Sequence, residues 1–433
     1  MSPVDLRVLI VAENVGSHGG ESSLPLQYFR IMRSRGIEAW LVTHARCRAA
    51  LEAALPHEMQ RMHFVPDALV QKVLWQIGKL LPMSMSRFTT GTLTHLITQS
   101  MQRRIVRQLV LRHSVDIIHE PVPVSPREPS AMFGVGAPVV IGPLNGNMAY
   151  PPAFRQMDGM LVRGFVRVGR LLSRLANHLL PGKFLAARLL VANERTRQAL
   201  PKRLASRAEE LVENGVDLRV WQPESLEERN RRGPVKFVYS GRLIRLKCVD
   251  LLLEAFTPVA EKTECLLEIV GDGPERSRLE SLASTLGLAG RVAFSGWLTP
   301  GECARALRRA DVFVFPSLHD CGGAAVLEAM ATGLPVIAAN WGGPADYVDS
   351  TCGVLVEPSS REDFVAGLST AMVRLAQSRE LRNSMGEAAI ERVGRFFTWD
   401  AKVDRMLSIY RDAIARTRAG AEHKPGVSVK QHP

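Results

Sequence analysis

The sequence predicts an α/β protein made of two Rossmann-like domains, and three observations predict it. Short apolar runs rich in Val, Ile and Leu alternate along the chain with helical patterns, and glycine turns close most of the runs. The alternation breaks at a polar stretch, SLEERNRRGP over 225–234, and restarts at once with the apolar run VKFVYSGRL. A chain of 433 residues is also long enough for two cores, since single domains cluster at about 100 to 200 residues. The expected division is 1–218, then 219–398, then an amphipathic helix over 399–417 and a polar tail over 418–433 that reads as disordered.

In the first half, RVLIVA over 7–12 is the first buried strand, with Asp5 ahead of it rather than a secretory leader. A glycine loop with Gly19, Gly20 and Glu21 follows, and then a helix that ends at Gly36. Gly19 and Gly20 lack the three-glycine dinucleotide spacing, which argues against an oxidoreductase. Ala39–Thr43 reads as a second strand, and the chain then turns helical and basic through about His113. Within that region 70–81 mixes Val73, Leu74, Trp75 and Ile77 with Lys72 and Lys79, and 101–112 carries four arginines among aliphatic residues. Such helices either face a core with a solvated basic side or lie on an anionic membrane face. VDIIHE over 115–120 and PVVIGPLNGN over 138–147 are strands whose ends bring His119, Glu120, Asn145, Gly146 and Asn147 to the carboxyl edge of an open sheet, where ligands bind. A second basic helical region spans 151–185, and 189–192 is a further strand.

The second half holds the densest chemistry. After VKFVYS come Gly241, Arg242 and Lys247, two cations in a strand-to-helix loop that suit a diphosphate leaving group. Leu266–Val270 is closed by Gly271, Asp272 and Gly273, and Val292–Phe294 by SGWL. The stretch 311–335, DVFVFPSLHDCGGAAVLEAMATGLP, reads as a strand, a glycine turn and a helix start, which presents unpaired amides to an anion. Asp320 precedes the turn and Glu328 lies about one helical turn inside, so both carboxylates can accept from hydroxyls on one ligand. A sugar joined to a nucleoside diphosphate has both features.

Asp320 and Glu328, the following EAMATGLPVIA, and GGP at 342–344 resemble the acidic motif of retaining glycosyltransferases of family 4. The first acid in that family is usually Glu, one methylene longer than Asp320. HEP at 119–121, REPS at 127–130, the GPLNGN loop and VENGVD at 212–217 resemble family segments too. The resemblance implies the GT-B arrangement, two facing Rossmann-like domains with a C-terminal helix crossing back to the first. It implies that Arg242, Lys247 and the amides of Gly322, Gly323 and Ala324 hold the leaving diphosphate. It also places Glu328 on the ribose, Asp320 and His119 at the transferring sugar, and the segment at Gly296, Trp297 and Leu298 on the nucleobase. Gly19 and Gly20 approach the diphosphate and acceptor, and Gly271 belongs to the same edge. The donor is a nucleoside-diphosphate sugar acting as co-substrate, with no other cofactor and no metal, and the acceptor is a glycan or a polyprenyl-linked one in surface polysaccharide synthesis.

Composition sets outer limits on these readings. No apolar run approaches the about 20 residues that span a bilayer, and six cysteines without paired spacing suit a reduced cytoplasm, at the inner face of the plasma membrane if the basic helices touch it. The net charge of +12 favours an anionic partner. Too few aromatics interleave with the basic residues for a single-strand nucleic-acid binder. The competing readings are a nucleotide-sugar epimerase or phosphorylase on the same fold, and a basic membrane- or nucleic-acid-binding protein with a vestigial site.

Overall fold

A computed structural model of the chain describes residues 6–16, 20–79, 90–122, 125–157, 176–177, 179–224 and 233–422. It divides into two compact units. The first comprises Met1–Asn147, Met160–Glu213 and Lys402–Pro433, and the second Met148–Gly159 and Asn214–Ala401. The principal crossing, after Glu213, falls close to the expected 218. Met148–Gly159 was not expected to leave the first domain but belongs to the second unit, whereas the last helix, Trp399–Glu422, returns from Lys402 onward to the first unit as the expected C-terminal crossing helix.

The first unit is built on seven parallel strands: β1 (Arg7–Val11), β2 (Glu38–His44), β3 (Met62–Val65), β4 (Ile117–Glu120), β5 (Val139–Leu144), β6 (Arg188–Val191) and β7 (Ala208–Glu210). Their order is β3-β2-β1-β4-β5-β6-β7. The central strands are continuous apolar runs because helices cover both faces of a parallel sheet. Val8, Leu9, Ile10, Ile117 and Ile118 are fully buried. From the last helix, Val403, Met406, Tyr410 and Ala413 are buried on this unit.

The second unit repeats the plan with six parallel strands: β8 (Val235–Ser240), β9 (Cys265–Val270), β10 (Val292–Gly296), β11 (Val312–Phe315), β12 (Val336–Ala339) and β13 (Gly353–Val356). Their order is β10-β9-β8-β11-β12-β13. In both sheets the first strand is central and the winding reverses beside it, at β1/β4 and at β8/β11. Ligands of doubly wound sheets sit outside the carboxyl ends of the strands at that reversal.

Two strands escaped the sequence reading. β3 is MHFV and β7 is AEE, and both lie at sheet edges, where one side needs no apolar cover and the pattern weakens. The last helix runs to Glu422, so the first residues assigned to a disordered tail are helical, and 423–433 lie outside the described residues. Much of the second basic region, 158–175, also lies outside them. Among the described residues, no helix is long and apolar enough to cross a membrane.

Candidate active site

In the second unit β8 and β11 are hydrogen-bonded neighbours, with Phe237 opposite Val312 and Val238 opposite Phe313, so the loops after them open at one edge. The loop after β8 carries Gly241, Arg242 and Lys247. It is zipped by backbone bonds to the loop after β9: Gly241 N donates to Val270 O at 3.0 Å, and Leu243 N to Asp272 O at 2.9 Å. A Cβ on Gly271 would lie 1.9 Å from Gly241 O, and one on Gly273 would lie 2.4 Å from Leu243 O. Gly271 was expected to face the ligand. The structure instead gives it a packing reason, since its φ of 135° and its contact with Gly241 admit no side chain.

The loop after β11 is organised by Asp320. One carboxylate oxygen pairs with the Lys247 ammonium, and the other accepts from Gly323 N at 3.0 Å. Its own carbonyl accepts from Gly343 N at 2.8 Å. Gly323, with φ of 66°, is the left-handed cap from which the helix Ala324–Ala331 starts. The two acids therefore differ from the paired role expected of them. Asp320 is a clamp joining a cation to a helix start, and the Gly323 amide expected in an anion cradle is occupied by it. Lys247 is further held by the Phe315 ring, 5.2 Å from its ammonium, and Ser317 Oγ donates to Leu246 O at 3.3 Å.

Arg242 is exposed, and among the described residues its guanidinium makes no hydrogen bond or ion pair. Glu328 is half-buried between the buried Leu327 and Ala329. Its carboxyl has no hydrogen-bond partner among the described residues, and burial pushes its pKa up to about 7. An ionised carboxylate there has no protein donor among the described residues. Trp297 is 61% exposed and Leu298 half-buried, beside Gly296, whose carbonyl accepts from Gly271 N at 2.8 Å.

A segment that sequence reasoning did not connect to this edge packs against it. Trp341 Nε1 donates to Ala149 O at 2.8 Å across 192 residues, the Tyr150 ring lies 5.0 Å from His319, and Met148 abuts Gly342. Separation in sequence left no local signal for the contact.

In the first unit, Gly20 has φ of 69° and starts the turn ahead of the helix Leu24–Ser34, accepting from Ser23 N and Oγ. Gly19 lies outside the described residues. His119 corrects an expectation. It is fully buried, with Nε2 at 2.7 Å from Gly142 O and Nδ1 at 2.7 Å from the Tyr410 hydroxyl, and Tyr28 packs edge-on at 4.9 Å. Since a carbonyl only accepts, Nε2 carries the proton and Nδ1 accepts from Tyr410. Burial lowers its pKa to about 4, so the ring is a neutral core group with both nitrogens engaged and none left for a sugar. Asn145 donates to Glu213 and Asn147 Nδ2 to Arg195 O at 3.2 Å.

Around the β1/β4 reversal lies a buried polar network not anticipated from sequence. Glu120 accepts from Gln99 Nε2 and from the Ser130 hydroxyl, both at 2.5 Å. His95 pairs with Glu13 at 2.9 Å. Lys183 donates to the carbonyls of Ser125 and Pro126, with its pKa lowered to about 8 by burial and partly restored by Glu120 and Glu128. Among the described residues, no group of three or more His, Cys, Asp or Glu is placed to hold a metal ion.

Residues 222–392 match the family model for glycosyl transferases group 1. The match lies within the second unit and takes in Arg242, Lys247, Asp320 and Glu328. The D-inositol 3-phosphate glycosyltransferase of Mycobacteroides abscessus is 33% identical over 222 residues, covering 48% of this chain and 48% of its own length. That of Saccharomonospora viridis is 33% identical over 226 residues, covering 48% and 51%. The chain thus spans about half the length of the curated relatives it matches. Among solved structures, a glycosyltransferase from Rickettsia africae ESF-5 superposes with a TM-score of 0.66 at 14% identity over 94% of this chain and 98% of the other. Anabaena Alr3699/HepE in complex with UDP gives 0.65 at 16% identity, over 94% and 100%. At these identities the likeness shows the fold, which is GT-B. The family match is thus confined to residues 222–392, while the likeness in fold spans most of the chain.

Proposed function

We propose that the protein is a retaining, metal-independent hexosyltransferase. It moves a sugar from a nucleoside-diphosphate sugar to a glycan or polyprenyl-linked acceptor in surface polysaccharide synthesis, on the cytoplasmic side of the membrane. The observation that carries this reading is the convergence, at the β8/β11 reversal, of an unpaired guanidinium, a clamped ammonium and a helix start. Such an edge suits a pyrophosphate. The Anabaena neighbour was solved with UDP, which supports a nucleotide-sugar donor here.

In this reading Arg242, Lys247 and the amides of Gly322 and Ala324 stabilise the diphosphate as it departs, when its negative charge grows. Glu328 accepts from the ribose hydroxyls. Asp320 acts by holding Lys247 and the helix start in place, a positioning role. The acceptor hydroxyl attacks the sugar's anomeric carbon on the face the diphosphate leaves. The bond from that carbon to the phosphate oxygen breaks, a glycosidic bond forms, and the hydroxyl proton passes to the departing phosphate oxygen. No protein nucleophile is required.

Lys247→Ala and Glu328→Ala should each lower transfer on the order of 10²-fold or more with the melting temperature nearly unchanged. Near-wild-type turnover in either variant would sink the assignment. A thermal-shift screen of UDP, GDP and ADP sugars, UDP first, identifies the donor, because at equal concentration the tighter ligand raises the melting temperature more, with the logarithm of its affinity.

A further inference from the structure

The helix Leu69–Lys79 turns an apolar ridge to water. Its buried residues are Gln71 and Gly78, seven apart and so on one stripe. Gln71 fastens that stripe: its Nε2 donates to Thr98 Oγ1 at 2.7 Å, and its Oε1 accepts from Ala68 N at 2.9 Å. On the opposite side Leu69, Val73 and Ile77 follow at four-residue spacing with Val70 beside them, and they are 79%, 58%, 45% and 56% exposed. Trp75 is 59% exposed. A helix of a globular domain normally buries such a ridge and wets its polar stripe, whereas here a glutamine and a glycine face inward.

Charge lines one flank of the ridge. Lys72 and Lys79 are both exposed, the Lys79 ammonium sits 3.5 Å above the Trp75 ring, and the helix contains no acidic residue. The nearest acid in sequence is Asp67, whose carboxylate is 3.9 Å from the Lys72 ammonium. We propose that this helix is an interfacial docking element that lays Leu69, Val70, Val73 and Ile77 into an anionic phospholipid surface. Lys72 and Lys79 then meet the headgroups, and Trp75 provides an amphipathic ring at the boundary. Charge selects this occupant over a second copy of the chain. A net charge of +12 and two lysines bordering the ridge would repel a like surface and attract an acidic one. The proposal rests on this surface alone and is independent of the transfer chemistry.

The test is cosedimentation of the full chain with vesicles of phosphatidylcholine and of phosphatidylcholine mixed with phosphatidylglycerol, at low and high salt. The expected result is binding to the anionic vesicles that weakens with salt. The double variant Val73→Asp/Ile77→Asp should weaken it on the order of tenfold or more. Lys72→Gln and Lys79→Gln should each weaken it about fivefold. All of these sites are exposed, so melting temperatures should stay at the wild-type value. The proposal is overturned if the wild type ignores anionic vesicles, or if the aspartate variant binds them equally well. It is also overturned if sedimentation equilibrium finds a dimer that the aspartate variant dissolves while vesicles do not compete with it.

Discussion

Glu328, half-buried, and His119, fully buried, are both titratable groups on the carboxyl side of a sheet, yet they face opposite fates. His119 has a partner for each nitrogen and stays neutral, while Glu328 has none and is held near pH 7 by burial alone. Its folded pKa lies above the ordinary 4.5, so folded chains bind more protons than unfolded ones between the two values. The group's contribution therefore lowers stability as pH rises from about 4.5 to about 7. On the proposed reading ligand hydroxyls donate to the ionised form, so the sign for donor binding is the reverse. Affinity should be full above about pH 7 and fall as pH drops through it, approaching tenfold per unit. Calorimetric titration of the stabilising nucleotide sugar between about pH 6 and about pH 8 reads this, and Glu328→Gln should flatten the profile. A flat wild-type profile would exclude Glu328 from the hydroxyl contacts. Asp320 and Glu328 were legible because their strand, turn and helix are contiguous in sequence. The true setting of His119 was not, because Tyr28, Gly142 and Tyr410 reach it from far along the chain.

At the scale of elements, the strand-to-helix loops of the second unit behave as one assembly. The loop after β8 lies on the loop after β9, which in turn bonds to the end of β10, and Asp320 joins the loop after β11 to the start of the next helix. Glycines mark these crossings because two backbones meet there, and sequence alone does not distinguish such a glycine from one that faces a ligand. Gly271→Ala places a methyl group 1.9 Å from a carbonyl oxygen and strains a positive φ. We expect it to displace the Gly241–Lys247 loop, cost about 3 kcal/mol or more in denaturant unfolding, and abolish nucleotide-induced stabilisation. A variant that melts and binds like the wild type would show that the crossing is slack. The alternation of strands and helices was readable across both units because buried parallel strands are uniformly apolar, and it failed at β3 and β7, where edge position relaxes that demand.

At the scale of the molecule, each unit is stitched from separate pieces of chain. Beside the crossings, Val216 N donates to Phe397 O at 2.8 Å, Trp399 N donates to Val216 O at 3.2 Å, and the buried Lys402 donates to Val212 O. Burial pulls the Lys402 pKa down to about 7, with Glu213 opposing the shift. Ending the chain after Ala401 removes Val403, Met406, Tyr410 and Ala413 from the first unit's interior. At about 2 kcal/mol each, their loss approaches the whole margin of about 5–15 kcal/mol that holds a domain together. Hydrogen exchange on the truncated chain should show the amides of β1, β4 and β5 unprotected while those of β8 and β11 remain slow. Protection of all five strands would refute the dependence.

The same stitching orders events during synthesis. The amino-terminal sheet leaves the ribosome first, but Tyr410, which closes over His119, follows every described strand of both sheets. Until Tyr410 and its helix are made, that early half waits with an open apolar flank, and the second unit, already complete through Ala401, is the first able to mature.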